Sequence, residues 1–177
     1  ETFGVANAAP YLAPRKDVTV EAPGAVAVSF GVGQNPAKSM GPEFEAGLLR
    51  ELTARGVRVL LDLGGSIADR ERAERALELS GASRGQVLVW DGPFAPFAAR
   101  IAQSRLYIGY DSAGGHVAAA ARVPLIIVFR GACCERMYWR WRPMGPKARR
   151  IIRVQNEPWQ VVLGRTLTYV EELLSDW

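Results

Sequence analysis

Residues 111–116, DSAGGH, combine side chains and a turn that could bind an anion. The stretch contains a carboxylate, a hydroxyl and His116, the only histidine in the sequence. An apolar run precedes it and an alanine-rich run follows, so we expect a strand, a turn and the start of a helix. A helix N-terminus offers unpaired N–H groups and the positive end of its dipole, which suits a phosphate. Gly114 and Gly115 would let another group approach this backbone closely.

The same residues also have a purely structural interpretation. The turn is predicted to consist of Asp111, Ser112 and Ala113, with a helix over residues 114–122. Asp or Ser before a helix commonly acts as a cap, worth roughly 1 kcal/mol. His116 lies one turn into the helix and could be a hydrogen-bonded structural residue. From spacing alone, both interpretations stay open.

A second candidate segment, residues 31–39 (GVGQNPAKS), follows another apolar run. It does not match the P-loop pattern, because Val32 and Ala37 stand where glycines are required, and Pro36 breaks the dinucleotide pattern GxGxxG. A glycine-containing turn with Lys38 at its far end remains. Such a turn suits a diphosphate, although Lys38 could equally be an ordinary surface lysine.

A third candidate is the pair Gly64 and Gly65, which is followed by Asp69 and Glu71. A carboxylate beside a glycine turn could bind ribose hydroxyls. Acidic residues in the first turn of a helix also interact favourably with its dipole, which is the simpler explanation.

Residues 130–153 are strongly basic, with eight Lys or Arg residues against the single acid Glu135. This asymmetry indicates an anionic partner. Three interpretations stay open: a solvated loop, a patch facing the acceptor or a membrane, and a nucleic-acid surface in which aromatic residues stack on bases. Nucleic acid ranks lowest, because no recognised nucleic-acid motif accompanies the segment. The aromatic residues are Tyr138, Trp139 and Trp141.

Length and composition fit one soluble globular domain, since 49% of the 177 residues are apolar and 23% charged. The longest apolar run, Leu125–Phe129, is too short to cross a bilayer, and no signal-peptide pattern is present, so a cytoplasmic protein is expected. The chain begins with Glu1, and we expect it to be a piece of a longer protein. The adjacent Cys133 and Cys134 predict free thiols rather than a disulfide or a metal site.

Apolar periodicity predicts alternating strands and helices, and hence an α/β fold: a doubly wound, mostly parallel, Rossmann-like sheet of six strands with helices on both faces. Ligands bind such sheets at the carboxyl ends of the strands. Residues 1–24 are predicted to be a lead-in segment, and 25–177 the domain. Predicted strands span residues 25–30, 57–63, 86–90, 106–110, 125–129 and 151–154. Predicted helices cover 44–52, 69–79, 94–102 (after an Asp91 N-cap), 114–122 and 158–174.

Four stretches together resemble the C-terminal half of glycosyltransferase family 9, the ADP-heptose:lipopolysaccharide heptosyltransferases. YDSAGGHVAAAARVPLIIVF resembles the family's Asp-Thr-Gly-x-x-His-Leu-Ala-Ala-Ala, Gly-x-Pro and apolar strand. VAVSFGVGQNPAKS resembles its Gly-rich loop ending in lysine, LLDLGGSIADRE its strand, Gly-Gly and acid, and WRPMG its Trp-x-Pro. Ser112 replaces the family's Thr, Ala113 its Gly, and Phe129-Arg130-Gly131 its Phe-Gly. These departures fit a subgroup with a different donor.

The resemblance implies one half of a GT-B enzyme, which would bind donor but lack the acceptor domain and its catalytic base. The reaction implied is inverting transfer of a heptose-like sugar from an ADP-linked donor to lipopolysaccharide or a related glycan, without metal or cofactor. Diphosphate and sugar contacts are expected from Lys38, Asp111, Ser112, Ala113, Gly114 and His116. Gly64, Gly65 and Glu71, or else Asp69, are expected at the nucleoside.

A peripheral position at the inner membrane face is also expected, through an anionic surface or acceptor. The residues assigned to that contact are Arg136, Arg140, Arg142, Arg149 and Arg150. Two other classes stay open: half of another GT-B enzyme, such as a sugar-nucleotide epimerase, and a non-catalytic nucleotide- or nucleic-acid-binding module.

Overall fold

A six-stranded, all-parallel sheet forms the centre of the protein, in the order β3-β2-β1-β4-β5-β6. The computed structural model describes residues 11–13, 22–83, 85–132 and 134–175. The strand order reverses between β1 and β4, since β2 and β3 follow β1 on one side and β4, β5 and β6 lie on the other. Ligands bind at such a reversal point in folds of this kind. The strands are β1 Val26–Ser29, β2 Val59–Asp62, β3 Val87–Trp90, β4 Leu106–Tyr110, β5 Leu125–Phe129 and β6 Arg149–Arg153.

Helices cover both faces of the sheet, as predicted. One face packs against α1, α2 and α6 through a core that includes Phe44, Ala76 and Val162. The other packs against α3, α4 and α5. A single 3-10 turn, Pro36–Lys38, lies between β1 and α1. The helices are α1 Pro42–Ala54, α2 Ile67–Ser80, α3 Phe94–Ile101, α4 Ala113–Ala120, α5 Glu135–Trp141 and α6 Trp159–Leu174.

Strands β4 and β5 are buried along their whole length. Alternate residues enter opposite cores: Ile126 belongs to the first and Ile127 to the second. Burial on both sides explains why the strand sequences are nearly continuous apolar runs. The two strands therefore provide a rigid support for the turn that follows β4.

Three local predictions need correction. The basic segment contains helix α5, which the sequence did not predict. In this helix, the ring of Tyr138 packs edge-on against the ring of Phe129 in β5, with the ring centroids 5.2 Å apart. Asp91 is not the N-cap of α3, because Pro93 occupies that position and Asp91 instead pairs with Arg70 of α2. Strand β6 starts at Arg149, two residues before the predicted start.

Some predictions fall outside the described residues. These include most of the lead-in segment, residues 1–10 and 14–21, and also Cys133. In the part of the chain that the structure describes, none of the helices is both long and apolar enough to cross a bilayer.

Candidate functional site

Lys38 and Asp111 meet at the carboxyl edge of the sheet, where β1 and β4 are neighbours. The Lys38 ammonium lies 2.9 Å from the Asp111 carboxylate and donates a hydrogen bond of 2.9 Å to the Asp111 carbonyl oxygen. Asp111 is only 5% exposed, whereas Lys38 reaches the surface at the mouth of a depression. The two segments that the sequence singled out separately thus form one site.

Helix α4 begins two residues after Asp111, and its first residue, Ala113, lines the same depression as Lys38. Its N-cap residue is Ser112, not Asp111, and the helix starts at Ala113, one residue earlier than predicted. The Ser112 side chain makes no capping hydrogen bond within the described residues. The first N–H groups of a helix have no intrahelical partner, so those of Ala113 and Gly114 can bind an anion.

Gly114 and Gly115 do allow a close approach to their backbone, and the groups that approach belong to the protein's own core. A Cβ on Gly114 would lie 2.3 Å from the Tyr107 hydroxyl. A Cβ on Gly115 would lie 2.8 Å from Ile127 and 3.2 Å from Pro143. Both glycines let α4 sit close to the sheet, and this closeness brings the helix N-terminus to Lys38.

Two depressions flank the Lys38–Asp111 pair and share Ser112 and Ala113. The larger, of about 580 Å³, is lined by His116 and has a mostly apolar wall. The smaller, of about 460 Å³, is lined by the polar loop after β1. An elongated ligand with a central anionic group fits this arrangement. The other residues that line the larger depression are Val117, Met137 and Trp141. Those that line the smaller are Val32, Gly33, Gln34 and Asn35.

The structure does not bring Glu71 to this groove. Glu71 is exposed and lines a separate depression with Arg72 and Arg75. Asp69, the other ribose candidate, is buried: it accepts hydrogen bonds from the Val32 N–H at 3.2 Å and from Arg72 at 2.8 Å.

The Gly64–Gly65 turn packs against Asp69, since a Cβ on Gly64 would lie 2.6 Å from that side chain. Neither glycine lines the two depressions beside Lys38. Asp69 therefore connects the loop after β1 to the start of α2 and serves as a structural carboxylate. The nucleoside contacts assigned to Gly64, Gly65 and Glu71 stay predictions.

Helix α5 supplies lining residues that sequence reasoning mostly missed. Trp141 is indicated by its Trp-x-Pro context, but Met137 had no recognisable signal because α5 itself was not predicted. Two of the five arginines assigned to an anionic partner also have partners within the protein. Arg150 pairs with Glu172 of α6 at 3.1 Å, and Arg149 donates to the Pro143 carbonyl at 3.2 Å. Arg136, Arg140 and Arg142 remain together on or next to α5.

A buried carboxyl, Glu45, lies beneath the loop that carries Lys38. It accepts hydrogen bonds of 2.8 Å from the hydroxyls of Ser39 and Tyr110. Its second oxygen has no hydrogen-bond partner among the described residues. Burial raises the pKa of Glu45 to about 7, although these hydrogen bonds and the nearby Arg72 lower it.

Replacing Glu45 by glutamine is expected to remove part of the pH dependence of stability. Because the pKa of Glu45 is about 7 in the folded state and 4.5 ordinarily, its contribution is fully present below pH 4.5 and is lost as the pH rises through 7. From about pH 5 to about pH 8, the wild-type free energy of unfolding should fall by roughly 2–3 kcal/mol relative to the variant. Urea unfolding of both proteins measures this difference. Parallel pH curves would contradict a raised pKa.

The comparisons with known proteins agree with this fold. The model of glycosyltransferase family 9 (heptosyltransferase) matches residues 38–165. E. coli heptosyltransferase WaaC with ADP-2-deoxy-2-fluoro heptose superposes with a TM-score of 0.66 at 21% identity, over 84% of this chain and 43% of that one. E. coli ADP-heptose lps heptosyltransferase II superposes with a TM-score of 0.68 at 20% identity, over 99% of this chain and 49% of that one.

A putative UDP-N-acetylglucosamine 2-epimerase from Listeria monocytogenes is more distant, with a TM-score of 0.56 at 12% identity, over 86% of this chain and 37% of that one. No curated protein matches the sequence. The chain spans less than half the length of these solved structures. The family model covers well over half of the sequence, including both Lys38 and His116. The chain therefore belongs to glycosyltransferase family 9.

Proposed function

We propose that this chain is the donor-binding half of an inverting glycosyltransferase that transfers a heptose-like sugar from an ADP-linked donor to lipopolysaccharide or a related glycan. The observation that carries the proposal is the Lys38 ammonium beside the N-terminus of α4, at the centre of an elongated groove. Family membership favours transfer over epimerisation. The two E. coli proteins, heptosyltransferase WaaC with ADP-2-deoxy-2-fluoro heptose and the ADP-heptose lps heptosyltransferase II, support an ADP-linked donor.

The groove would stabilise the leaving diphosphate. When the bond between the anomeric carbon and the diphosphate breaks, negative charge develops on the phosphate oxygens. Lys38 would face this charge together with the N–H groups of Ala113 and Gly114, and fixed donors of this kind need no reorganisation during the reaction. His116 would donate a hydrogen bond to the diphosphate or the sugar. Asp111 would hold Lys38 in place and orient the sugar.

The acceptor site and the base that deprotonates the acceptor hydroxyl are proposed to lie on another domain. Each of the two E. coli heptosyltransferases is more than twice as long as its own segment that superposes on this chain. Alone, the chain would bind donor nucleotide without transferring sugar. No metal or cofactor enters this mechanism.

Calorimetry with ADP, UDP and a short single-stranded oligonucleotide tests the proposal. Saturable ADP binding, tighter than UDP binding, is the expected result. Strongly salt-dependent oligonucleotide binding without nucleotide binding would instead favour a nucleic-acid module.

We further propose that α5 contacts an anionic lipid surface at the inner face of the membrane, where anionic lipids are exposed. Trp139 and Trp141 are 59% and 49% exposed, and the Arg142 guanidinium lies 4.4 Å from the Trp139 ring. Arg136 and Arg140 lie on the same short helix and are exposed. Aromatic rings and arginines together suit the interface of a bilayer.

Binding to vesicles of phosphatidylcholine, with and without phosphatidylglycerol, measures this contact. Arg140→Glu should weaken binding to the anionic vesicles by roughly tenfold or more. Arg75→Glu is the matched control, because Arg75 is also exposed but lies on α2, on the other face of the sheet. Equal losses for both changes would mean that net charge, and not α5, determines binding.

A further inference from the structure

The segment that carries Lys38 is held by an arginine from a different loop. Arg130 follows β5 directly, and its guanidinium donates hydrogen bonds to the carbonyl oxygens of Ala37, at 3.4 Å, and of Ser39. These two carbonyls flank Lys38 in the chain. Because β4 lies between β1 and β5, Arg130 reaches across the end of β4 to make this contact.

Gly131 makes this approach possible. Its φ is +75°, which side chains rarely adopt, and a Cβ there would lie 3.2 Å from the carbonyl carbon and oxygen of Ala37. The backbone after β5 therefore packs directly on the segment that carries Lys38. Arg130 and Gly131 are also where the sequence departs from the Phe-Gly of the family resemblance.

Hydrogen bonds to β4 and α1 hold the opposite side of the same segment. The Met40 N–H donates to the Tyr110 hydroxyl at 3.0 Å, and the Ser39 hydroxyl donates to Glu45 at 2.8 Å. Tyr110 immediately precedes Asp111, which pairs with Lys38. The segment is thus held on one side by β4 and α1, and Arg130 closes the other side.

We propose that Arg130 is a positioning residue of the donor site, which holds Lys38 against Asp111 and towards the α4 N-terminus by binding the carbonyls of Ala37 and Ser39. The inference rests on the proposed function, since it assumes that Lys38 binds the donor diphosphate. Arg130 itself acts through Lys38. Its removal loosens the segment and lets the ammonium leave the position that a phosphate requires.

A double-mutant cycle of ADP affinity tests this role. Wild type, Arg130→Ala, Lys38→Ala and the double variant are titrated with ADP by calorimetry. Arg130→Ala is expected to weaken ADP binding by roughly tenfold, within the range of couplings between residues in contact. In the Lys38→Ala background the same change should have little effect, because the residue that Arg130 positions is gone.

Two further variants separate positioning from general destabilisation. Arg130→Lys can still reach one carbonyl and should recover much of the lost affinity. Arg58→Ala is the matched control, because Arg58 also donates to a backbone carbonyl, that of Pro23 at 3.2 Å, but lies before β2 at the opposite edge of the sheet. It should leave ADP affinity unchanged, and thermal unfolding of each variant confirms that it is folded.

The possible outcomes are distinct. An equal loss from Arg130→Ala with and without Lys38 would mean that Arg130 contacts the anion directly, and would overturn positioning. Unchanged affinity in Arg130→Ala, with wild type binding ADP, would overturn the inference but leave the proposed function standing. If the wild-type chain failed to bind ADP, the proposed function and this inference would both fail.

Discussion

Replacing Lys38 by alanine is expected to weaken ADP binding by roughly 10- to 100-fold, the loss typical of a hydrogen bond between charged groups. The Lys38 ammonium lies at the mouth of both depressions and within 2.9 Å of the turn after β4. Its removal also leaves the buried Asp111 carboxylate without its cation. That uncompensated negative charge would repel a diphosphate.

Lys147→Ala is the control for Lys38→Ala. Lys147 is an exposed lysine that lies just before β6, at the amino edge of the sheet, and lines a separate depression. Its loss should leave ADP affinity within a factor of about two, because surface charges at this distance are largely screened. Calorimetry of both variants compares them directly. An equal weakening by both changes would mean that ADP binds without a specific contact to Lys38.

Gly114→Ala is expected to lower the free energy of unfolding by roughly 2 kcal/mol, as overpacking of a rigid core does. The added methyl would lie 2.3 Å from the Tyr107 hydroxyl and 2.7 Å from its ring. Tyr107 is fully buried in β4 and cannot move aside without displacing its neighbours. Thermal unfolding should show a decrease of about 4–8 °C in Tm.

Gly164→Ala supplies a control of opposite sign. Gly164 lies within α6, and a Cβ there meets no described atom within 4 Å. Alanine has the higher helix propensity, so this change should stabilise the protein by up to about 1 kcal/mol. If Gly114→Ala were stabilising to the same degree, α4 would not pack on Tyr107 as described.

Much of the fold was predictable because apolar patterning reports burial directly. Strands β4 and β5 were predicted to the residue, since both are covered on two faces and their sequences are almost wholly apolar. Helix α5 was not predictable in the same way. Its seven residues carry charges and large rings, and its anchor is Phe129, on a strand outside the helix.

The site was predictable where local sequence decides the chemistry. The turn after β4 was predicted to bind an anion because a strand ends and a helix begins there. Lys38 was singled out because it ends a glycine-containing loop. That the two meet depends on strands β1 and β4 being neighbours. This strand order was not predicted; the family resemblance implied only that both segments contact the diphosphate.

The role of the acids after Gly64 could not be read from spacing. Asp69 and Glu71 both lie near the start of α2, but the fold buries Asp69 against the Val32 N–H and leaves Glu71 exposed elsewhere. The role of Arg130 could not be predicted from the sequence either, because its partners are backbone carbonyls more than ninety positions earlier in the chain.

The most direct test of the central claim, that the diphosphate binds at the N-terminus of α4 beside Lys38, is an NMR titration of backbone amides with ADP. The largest shifts are expected at Ala113 and Gly114, with further shifts in residues 33–38. Changes centred on Arg122 and Lys147 at the opposite edge of the sheet, with Ala113 and Gly114 unmoved, would contradict it.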